Sequence, residues 1–291
     1  MTTPSSQRGM RRAIVILPGA FTSGNLFFGI WAIIESARGN LERAAWFIVA
    51  AALMDVLDGR VARMSRTGTQ FGAEMDSLVD AISFGVAPAM LLYFLQFKAG
   101  EWAWVLCFLY ILAAVLRLAR FNVEQAGRAK TQFFGLPSPA AGMTVATFVP
   151  FSRTPFFEQH LADQLPWPAA LAVLMVMCAL LMVSLVPYPV WPRLGLRTAR
   201  GLAGVAFTLA FLAGALYVPQ YFFFPFGLAY IAFGLVRAAA VGFLERLPER
   251  DPLRDEEEDR DRPVEDLVSP GVVRFRIGRR RRRHGGGGSS A

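Results

Sequence analysis

The sequence predicts an all-α membrane protein, a bundle of about eight transmembrane helices followed by a disordered C-terminal tail. Of the 291 residues, 54% are hydrophobic and 25 are Phe, a composition typical of chains embedded in a bilayer. Several apolar segments reach about 20 residues, the length with which an α-helix crosses the hydrocarbon core. Lys and Arg side chains concentrate in the connections between these segments and in the tail.

Eight apolar segments are predicted to span the membrane. In chain order they cover residues 14–34, 44–61, 71–97, 102–118, 140–151, 167–186, 202–218 and 222–244. The fourth begins with Trp102 and Trp104, which are typical anchors at the membrane–water interface. The fifth is the shortest of the eight.

The first span carries small and polar residues that are unusual on a helix facing lipid: Pro18, Gly19, Thr22, Gly24 and Asn25. Pro and Gly do occur in membrane helices, where they allow kinks and close packing. Two interpretations therefore stay open for this stretch, helix packing and contact with a ligand.

The second span ends with Asp55 and Asp58, and the third begins with Asp76 and Asp80. Because the members of each pair are three or four residues apart, each pair lies on one face of its helix. The connection is short, so the two spans are antiparallel neighbours and the pairs are expected to face one another. A carboxylate at the centre of a membrane helix costs about 2.5 to 3.5 kcal/mol, so four of them indicate a function.

Four converging carboxylates would repel one another unless cations lie between them. Ligands that offer only oxygen suit Mg²⁺ or Mn²⁺, which are commonly shared with phosphate oxygens. Gly59, Ala62 and Gly72 leave room for a substrate near the backbone, and Arg63 supplies a positive charge for phosphate. The alternative interpretation is that nearby arginines pair with the aspartates and hold the helix ends together: Arg60, Arg63 and Arg66.

The sequence offers few cysteines or histidines for other metal sites or for nucleophilic catalysis. Cys107 and Cys178 lie in apolar segments without metal-ligand spacing and are interpreted as small core residues. His160 and His284 are the only histidines and both lie in polar sequence, so a histidine-based mechanism is not expected.

Lys and Arg residues of the connections predict the orientation in the membrane. One side carries Arg8, Arg11, Arg12, Arg60, Arg63, Arg66, Arg117, Arg120, Arg128, Lys130, Arg193, Arg197 and Arg200. The opposite side carries Arg38, Arg43, Lys98 and Arg153. By the positive-inside rule, both termini and the aspartates face the cytoplasm, and the protein belongs to the cell membrane.

The C-terminal residues 248–291 are predicted to be a disordered cytoplasmic tail, because their blocks of mixed charge cannot bury enough apolar surface to fold. The run Arg279–Arg283 could contact anionic lipid headgroups or nucleic acid, but a solubilising tail without a specific partner is the favoured interpretation. The net charge of +8 is read as a topology signal, so no nucleic-acid partner is expected.

The aspartate stretch resembles the signature of the CDP-alcohol phosphatidyltransferase family, D-x-x-D-G-x-x-A-R, eight residues, then G-x-x-x-D-x-x-x-D. Every fixed position is met, by Asp55, Asp58, Gly59, Ala62, Arg63, Gly72, Asp76 and Asp80. Residues 17–27, 71–89, 117–122 and 134–141 further resemble the phosphatidylserine synthase branch, with Gly19 standing where Asn is expected.

That resemblance implies a six-helix core over 14–190, preceded by a cytoplasmic segment 1–13 and followed by two additional helices in 191–247. It also implies a homodimer and two divalent cations, Mg²⁺ or Mn²⁺. The expected metal ligands are Asp55, Asp58, Asp76 and Asp80, the last also serving as general base. The expected contacts of the CDP group are Gly59, Ala62, Arg63 and Gly72, with Thr22 and Asn25 as further candidates.

The implied reaction is attack by the serine hydroxyl on the β-phosphorus of CDP-diacylglycerol, which gives phosphatidylserine and CMP. Because an amino-acid carboxylate needs a cation, Arg117, Arg120 and Asn122 are candidates for recognising the acceptor. Their alternative role is to anchor the helix end at the membrane surface. Ser83 and Ser138 are interpreted as packing residues between helices, with a substrate hydrogen bond as the alternative.

Two other functions stay open on the sequence. The same chemistry could use another acceptor, such as glycerol 3-phosphate or inositol phosphate, although the extra phosphate calls for a denser basic pocket. An ion transporter could use the aspartates as a permeation site, but such a site is expected near the bilayer midplane rather than at the helix ends.

Overall fold

The computed structural model describes residues 4–65, 70–98, 100–125, 135–186, 188 and 198–244. Side chains are described for residues 19–61, 71–98, 100–123, 135–186, 188, 198 and 201–239. These parts of the chain are helical and contain no β-strand, which confirms the all-α class. The predicted tail and the connections 66–69 and 126–134 lie outside the described residues.

The helices follow one another with short connections. They are α1 (Pro4–Ala37), α2 (Leu41–Ser65), α3 (Gln70–Asp80), π1 (Ala81–Val86), α4 (Ala87–Leu92), π2 (Tyr93–Phe97), α5 (Ala103–Gln125), α6 (Ser138–Ser152), α7 (Pro155–His160), α8 (Trp167–Val183), α9 (Ala199–Tyr217) and α10 (Pro219–Leu244). Each predicted span coincides with a helix, and the third with the run from α3 to π2. The short α7 and the two π-helical segments are not predicted by the sequence pattern.

Three helices in the described part of the chain are long and apolar enough to cross a membrane: Phe71–Phe97, Ala103–Val123 and Pro219–Ala239. Two further apolar helices are shorter, Trp167–Val183 and Gly201–Tyr217. The membrane-embedded class is therefore supported, while the number of eight spans stays a prediction.

A tight turn sets α1 against α2. Gly39 takes φ +83°, a conformation that favours glycine, and Asn40 Nδ2 donates to Glu35 Oε2 at 2.6 Å. Arg38 Nη1 donates to the other Glu35 oxygen at 2.9 Å. The hydrogen bonds from Asn40 and Arg38 hold the pKa of the Glu35 carboxyl below its ordinary value, so the turn keeps a charged acceptor at neutral pH. The result is an antiparallel pair in which Gly24 lies against Met54.

Two buried clusters hold the bundle together. One joins α1, α2, α4 and α6 through fully buried Ile48, Leu91 and Val149. The other joins α5, α6, α8 and α10, and includes Cys107 and Cys178, which confirms the cysteines as buried core residues.

Close helix contact beside π1 depends on glycine. A Cβ at Gly142 of α6 would lie 2.9 Å from the Phe84 carbonyl oxygen, so no other residue fits there without a shift of backbone. Tyr110 of α5 donates its hydroxyl to the same carbonyl at 3.3 Å. π1 is thereby fixed from two sides, and because π1 follows Asp80 directly, these contacts also position the end of α3.

Candidate active site

The four aspartates lie where α1, α2 and α3 meet. Asp58 and Asp80 are buried, and Asp55 and Asp76 are half-buried. Single carboxylate oxygens of Asp55, Asp76 and Asp80 lie within 4.8 Å of one another. The predicted facing of the two pairs is therefore seen for three of the four carboxylates.

Asp58 is held by α1 rather than within that group of three. Thr22, one of the polar residues of the first span, donates its hydroxyl to Asp58 Oδ2. One turn further, Asn25 Nδ2 donates to Asp80 Oδ1 at 3.2 Å. Both side chains are buried, so the polar face of α1 contacts the aspartates and does not face lipid. Of the two interpretations of this stretch, packing describes Gly24, while contact of Thr22 and Asn25 with a ligand stays a prediction.

The donor atoms fit a divalent cation. Oxygens that share one Mg²⁺ at about 2.1 Å can be no more than about 4.2 Å apart, a separation that small side-chain adjustments of this group would reach. Asp76 Oδ1 is buried and has no hydrogen-bond partner within the described residues. A buried carboxylate oxygen without a donor is destabilising unless a cation or water satisfies it.

Residues predicted to contact the CDP group are only partly described. Gly59 and Gly72 are half-buried, each close in sequence to an aspartate of the site. The side chains of Ala62 and Arg63 lie outside the described residues, as does Arg66 of the alternative pairing interpretation.

The three candidates for the acceptor separate in the structure. Arg117 Nη1 donates to Ser138 Oγ at 2.8 Å, and the guanidinium interacts electrostatically with Asp80. Arg120 Nη1 lies 3.5 Å from the Val183 carbonyl oxygen, at the end of α8. Arg117 is thus the candidate that connects α5 to the aspartates.

Asn122 of α5 forms hydrogen bonds with residues of α3 other than the aspartates. It accepts from Ser77 Oγ at 2.9 Å and donates to Glu74 Oε2 at 2.9 Å. These three residues line a cavity of about 500 Å³ between α3 and α5. Glu74 and Ser77 are not among the residues predicted from the sequence, where the available signal is a charged residue at the helix end that carries the aspartates.

The small residues predicted to pack between helices do so in one case. Ser83 Oγ donates to the Asn25 carbonyl oxygen at 3.2 Å, and a Cβ at Gly29 would lie 3.0 Å from Ser83 Cα. Ser138, in contrast, accepts from Arg117 and so belongs to the polar surroundings of Asp80.

Comparison with known protein families gives a match to the CDP-alcohol phosphatidyltransferase model over residues 15–212. The chain belongs to this family. Its members are phosphotransferases, so the predicted family and enzyme class are confirmed, and with its apolar helices the chain is an integral membrane protein. Family membership leaves the cation-transport interpretation without support.

Curated relatives within the CDP-alcohol phosphatidyltransferase family agree in the acceptor that they name. A CDP-diacylglycerol–serine O-phosphatidyltransferase of Helicobacter pylori is 33% identical over 177 residues, 60% of this chain and 73% of the relative. One of Mycobacterium tuberculosis is 39% identical over 147 residues, 49% of this chain and 51% of the relative. An archaetidylserine synthase of Methanothermobacter thermautotrophicus is 36% identical over 198 residues, 64% of this chain and 75% of the relative.

Proposed function

We propose that this protein transfers the phosphatidyl group of CDP-diacylglycerol to the hydroxyl of L-serine, giving phosphatidylserine and CMP. The observation that carries the proposal is the aspartate cluster of α2 and α3, which bears the full family signature in a chain whose relatives are named for serine transfer. The serine oxygen forms a new phosphate ester while the phosphoanhydride bond to CMP breaks, so the reaction needs stabilisation of the charge on CMP and a base for the hydroxyl proton.

We infer that Asp55, Asp58, Asp76 and Asp80 hold two divalent cations, Mg²⁺ or Mn²⁺. The support is an all-oxygen donor set that includes a buried carboxylate oxygen of Asp76 without a partner in the described part of the chain. When bound, such cations neutralise the charge that develops on the phosphates during displacement.

Asp80 is proposed as the general base that accepts the proton of the serine hydroxyl. Asn25 donates to one of its oxygens, which orients the carboxylate, and Arg117 contributes a positive charge nearby. The CDP group is assigned to Gly59, Ala62, Arg63 and Gly72, where small residues flank the aspartates, with Thr22 and Asn25 on the facing helix. Among the acceptor candidates, Arg117 is favoured over Arg120 and Asn122 because of its interaction with Asp80.

The remaining features of the sequence are proposed with this function. The protein is placed in the cytoplasmic membrane with about eight spans, the active site and both termini on the cytoplasmic side. It comprises a core of residues 14–190, two additional helices in 191–247, and a disordered tail from 248. A homodimer follows from the family resemblance alone.

Replacing Thr22 by Val is expected to lower kcat/KM about 10- to 100-fold, because Asp58 loses the hydroxyl that orients it as a metal ligand. The apparent affinity for Mn²⁺, measured as the metal concentration that gives half-maximal activity, should fall by a similar factor. The matched control is Ser23→Ala, since Ser23 is exposed and donates to Gly19 of its own helix. Equal activities of the two variants would show that Thr22 does not contribute to the site.

The proposed function is tested with purified full-length protein, CDP-diacylglycerol, Mn²⁺ or Mg²⁺ and labelled acceptors. Serine is expected to give labelled phosphatidylserine and an equal amount of CMP, and chelation of the metal should stop both. Product from glycerol 3-phosphate or an inositol phosphate, with none from serine, would reassign the acceptor. The assay should also include a CDP-activated ether lipid as a second donor, because one relative is named an archaetidylserine synthase.

A further inference from the structure

Besides Asp76 Oδ1 and Asn25 Oδ1 at the aspartate cluster, two buried polar groups have no hydrogen-bond partner within the described residues. They are the hydroxyl of Tyr188, a side chain that is 4% exposed, and the Nε–H of Arg117. Buried polar groups are normally hydrogen-bonded, so two such groups in one region call for an explanation.

The backbone brings the segments that carry them side by side. Gly135 N donates to the Val186 carbonyl and Leu136 N donates to the Leu181 carbonyl, each at 2.9 Å. The first of these segments leads into Ser138, which binds the Arg117 guanidinium, and the second leads into Tyr188. The two segments therefore lie side by side, and the first of them contacts α5 through Ser138 and Arg117.

α10 covers this region from the other side. The rings of Tyr188 and Tyr230 have centroids 5.4 Å apart, and Tyr230 also interacts electrostatically with Arg117. The Tyr188 ring lies against Gly234, where a Cβ would come within 2.7 Å of Tyr188 Cδ1. α10 begins at Pro219, so it lies beyond residues 15–212, the part of the chain that matches the family model.

The chemistry of the two groups defines what they can bind. Arg117 offers only hydrogen-bond donors, and burial raises the pKa of Tyr188 to about 12, so its hydroxyl keeps its proton at physiological pH. Two donors that share Tyr230 as a neighbour, one of them cationic, suit an anionic acceptor such as a carboxylate. Arg117 also interacts electrostatically with Asp80, so an anion bound to Arg117 would lie on the side of the bundle that carries the proposed base.

We propose that Tyr188 Oη–H and Arg117 Nε–H bind the carboxylate of the amino-acid acceptor, and that Tyr230 and Gly234 of α10 position Tyr188. This assignment rests on the proposed function and adds to it the residues that recognise the acceptor. It makes α10 a determinant of acceptor specificity.

Tyr188→Phe keeps the ring and removes the hydroxyl. The expected result is a rise of about tenfold or more in KM for serine, with kcat within about twofold of wild type and KM for CDP-diacylglycerol unchanged. Tyr217→Phe, at an exposed tyrosine of α9, is the matched control and should behave as wild type.

Two non-lipid competitors show which part of the acceptor is bound. L-Alanine keeps the carboxylate and ammonium but has no hydroxyl to react, and 2-aminoethanol has no carboxylate. Tyr188→Phe should raise the inhibition constant of L-alanine by about the same factor as KM for serine, and leave that of 2-aminoethanol unchanged. An equal rise for both compounds, or an unchanged KM for serine, would overturn the carboxylate assignment.

Gly234→Ala is a second test of the proposal, and it retains every polar group. Its added Cβ displaces the Tyr188 ring, so KM for serine should again rise while KM for CDP-diacylglycerol stays the same. A parallel loss of affinity for both substrates would indicate that α10 has a structural role instead. Failure of the proposed function is distinguishable, because wild-type protein would then form no phosphatidylserine from serine.

Discussion

Asp80→Asn is expected to lower kcat for phosphatidylserine formation by about 10³-fold or more. A positioned base contributes about 10² to 10⁴ in rate, and the amide that replaces it cannot accept the proton of the serine hydroxyl. The substitution preserves the shape of a buried side chain, and Asn25 can still donate to the remaining carbonyl oxygen. Binding of the CDP lipid should therefore stay measurable while turnover is lost.

The measurement is single-turnover formation of CMP beside equilibrium binding of a CDP-lipid analogue. Asp163→Asn makes the same chemical change at an exposed position between α7 and α8 and serves as the control. Normal turnover in Asp80→Asn would remove Asp80 as the base, and loss of both binding and turnover would assign it a purely structural or metal-holding role.

Asp76→Asn is expected to change stability in opposite directions with and without metal. In a chelator the variant should unfold no earlier than wild type, because it lowers the repulsion among carboxylates whose oxygens lie within 4.8 Å. With Mn²⁺ at 100 times its dissociation constant, wild type gains about 2.7 kcal/mol. The variant should gain little of this, and its activity should fall at least about 100-fold.

Thermal unfolding in detergent, with and without Mn²⁺, tests this pair of effects. Glu42→Gln removes an exposed carboxylate from the first turn of α2 and should respond to Mn²⁺ as wild type does. If Asp76→Asn were stabilised by Mn²⁺ as strongly as wild type, the ion would have to bind without this residue.

Much of the fold can be predicted from the sequence because membrane helices are set by local composition. All eight apolar segments form helices in the structure, since backbone groups in hydrocarbon must be bonded within each segment. The π1 segment could not be predicted in this way. It depends on Gly142 and Tyr110, which approach the Phe84 carbonyl from α6 and α5, and no local pattern in residues 81–86 predicts those contacts.

Within the site, helical spacing was sufficient to group the aspartates but not to assign partners to each one. Asp58 accepts from Thr22 of α1, and the other three carboxylates come together. The separation of Arg117 from Arg120 and Asn122 likewise depends on which face of α5 meets α3, α6 and α8. Tyr188 has no signal in the sequence, because its burial arises from contacts with α10, far along the chain.

By itself, the sequence determined the helical class, the family and the set of charged residues that are proposed to do the chemistry, because these follow from composition and from residues at fixed spacing along single helices. Only the tertiary structure decided which carboxylates share a site, which polar residue of α1 holds each of them, and which arginine reaches Asp80. These choices depend on helix rotation and on close approach at small residues, which are set by packing between distant segments rather than by local pattern.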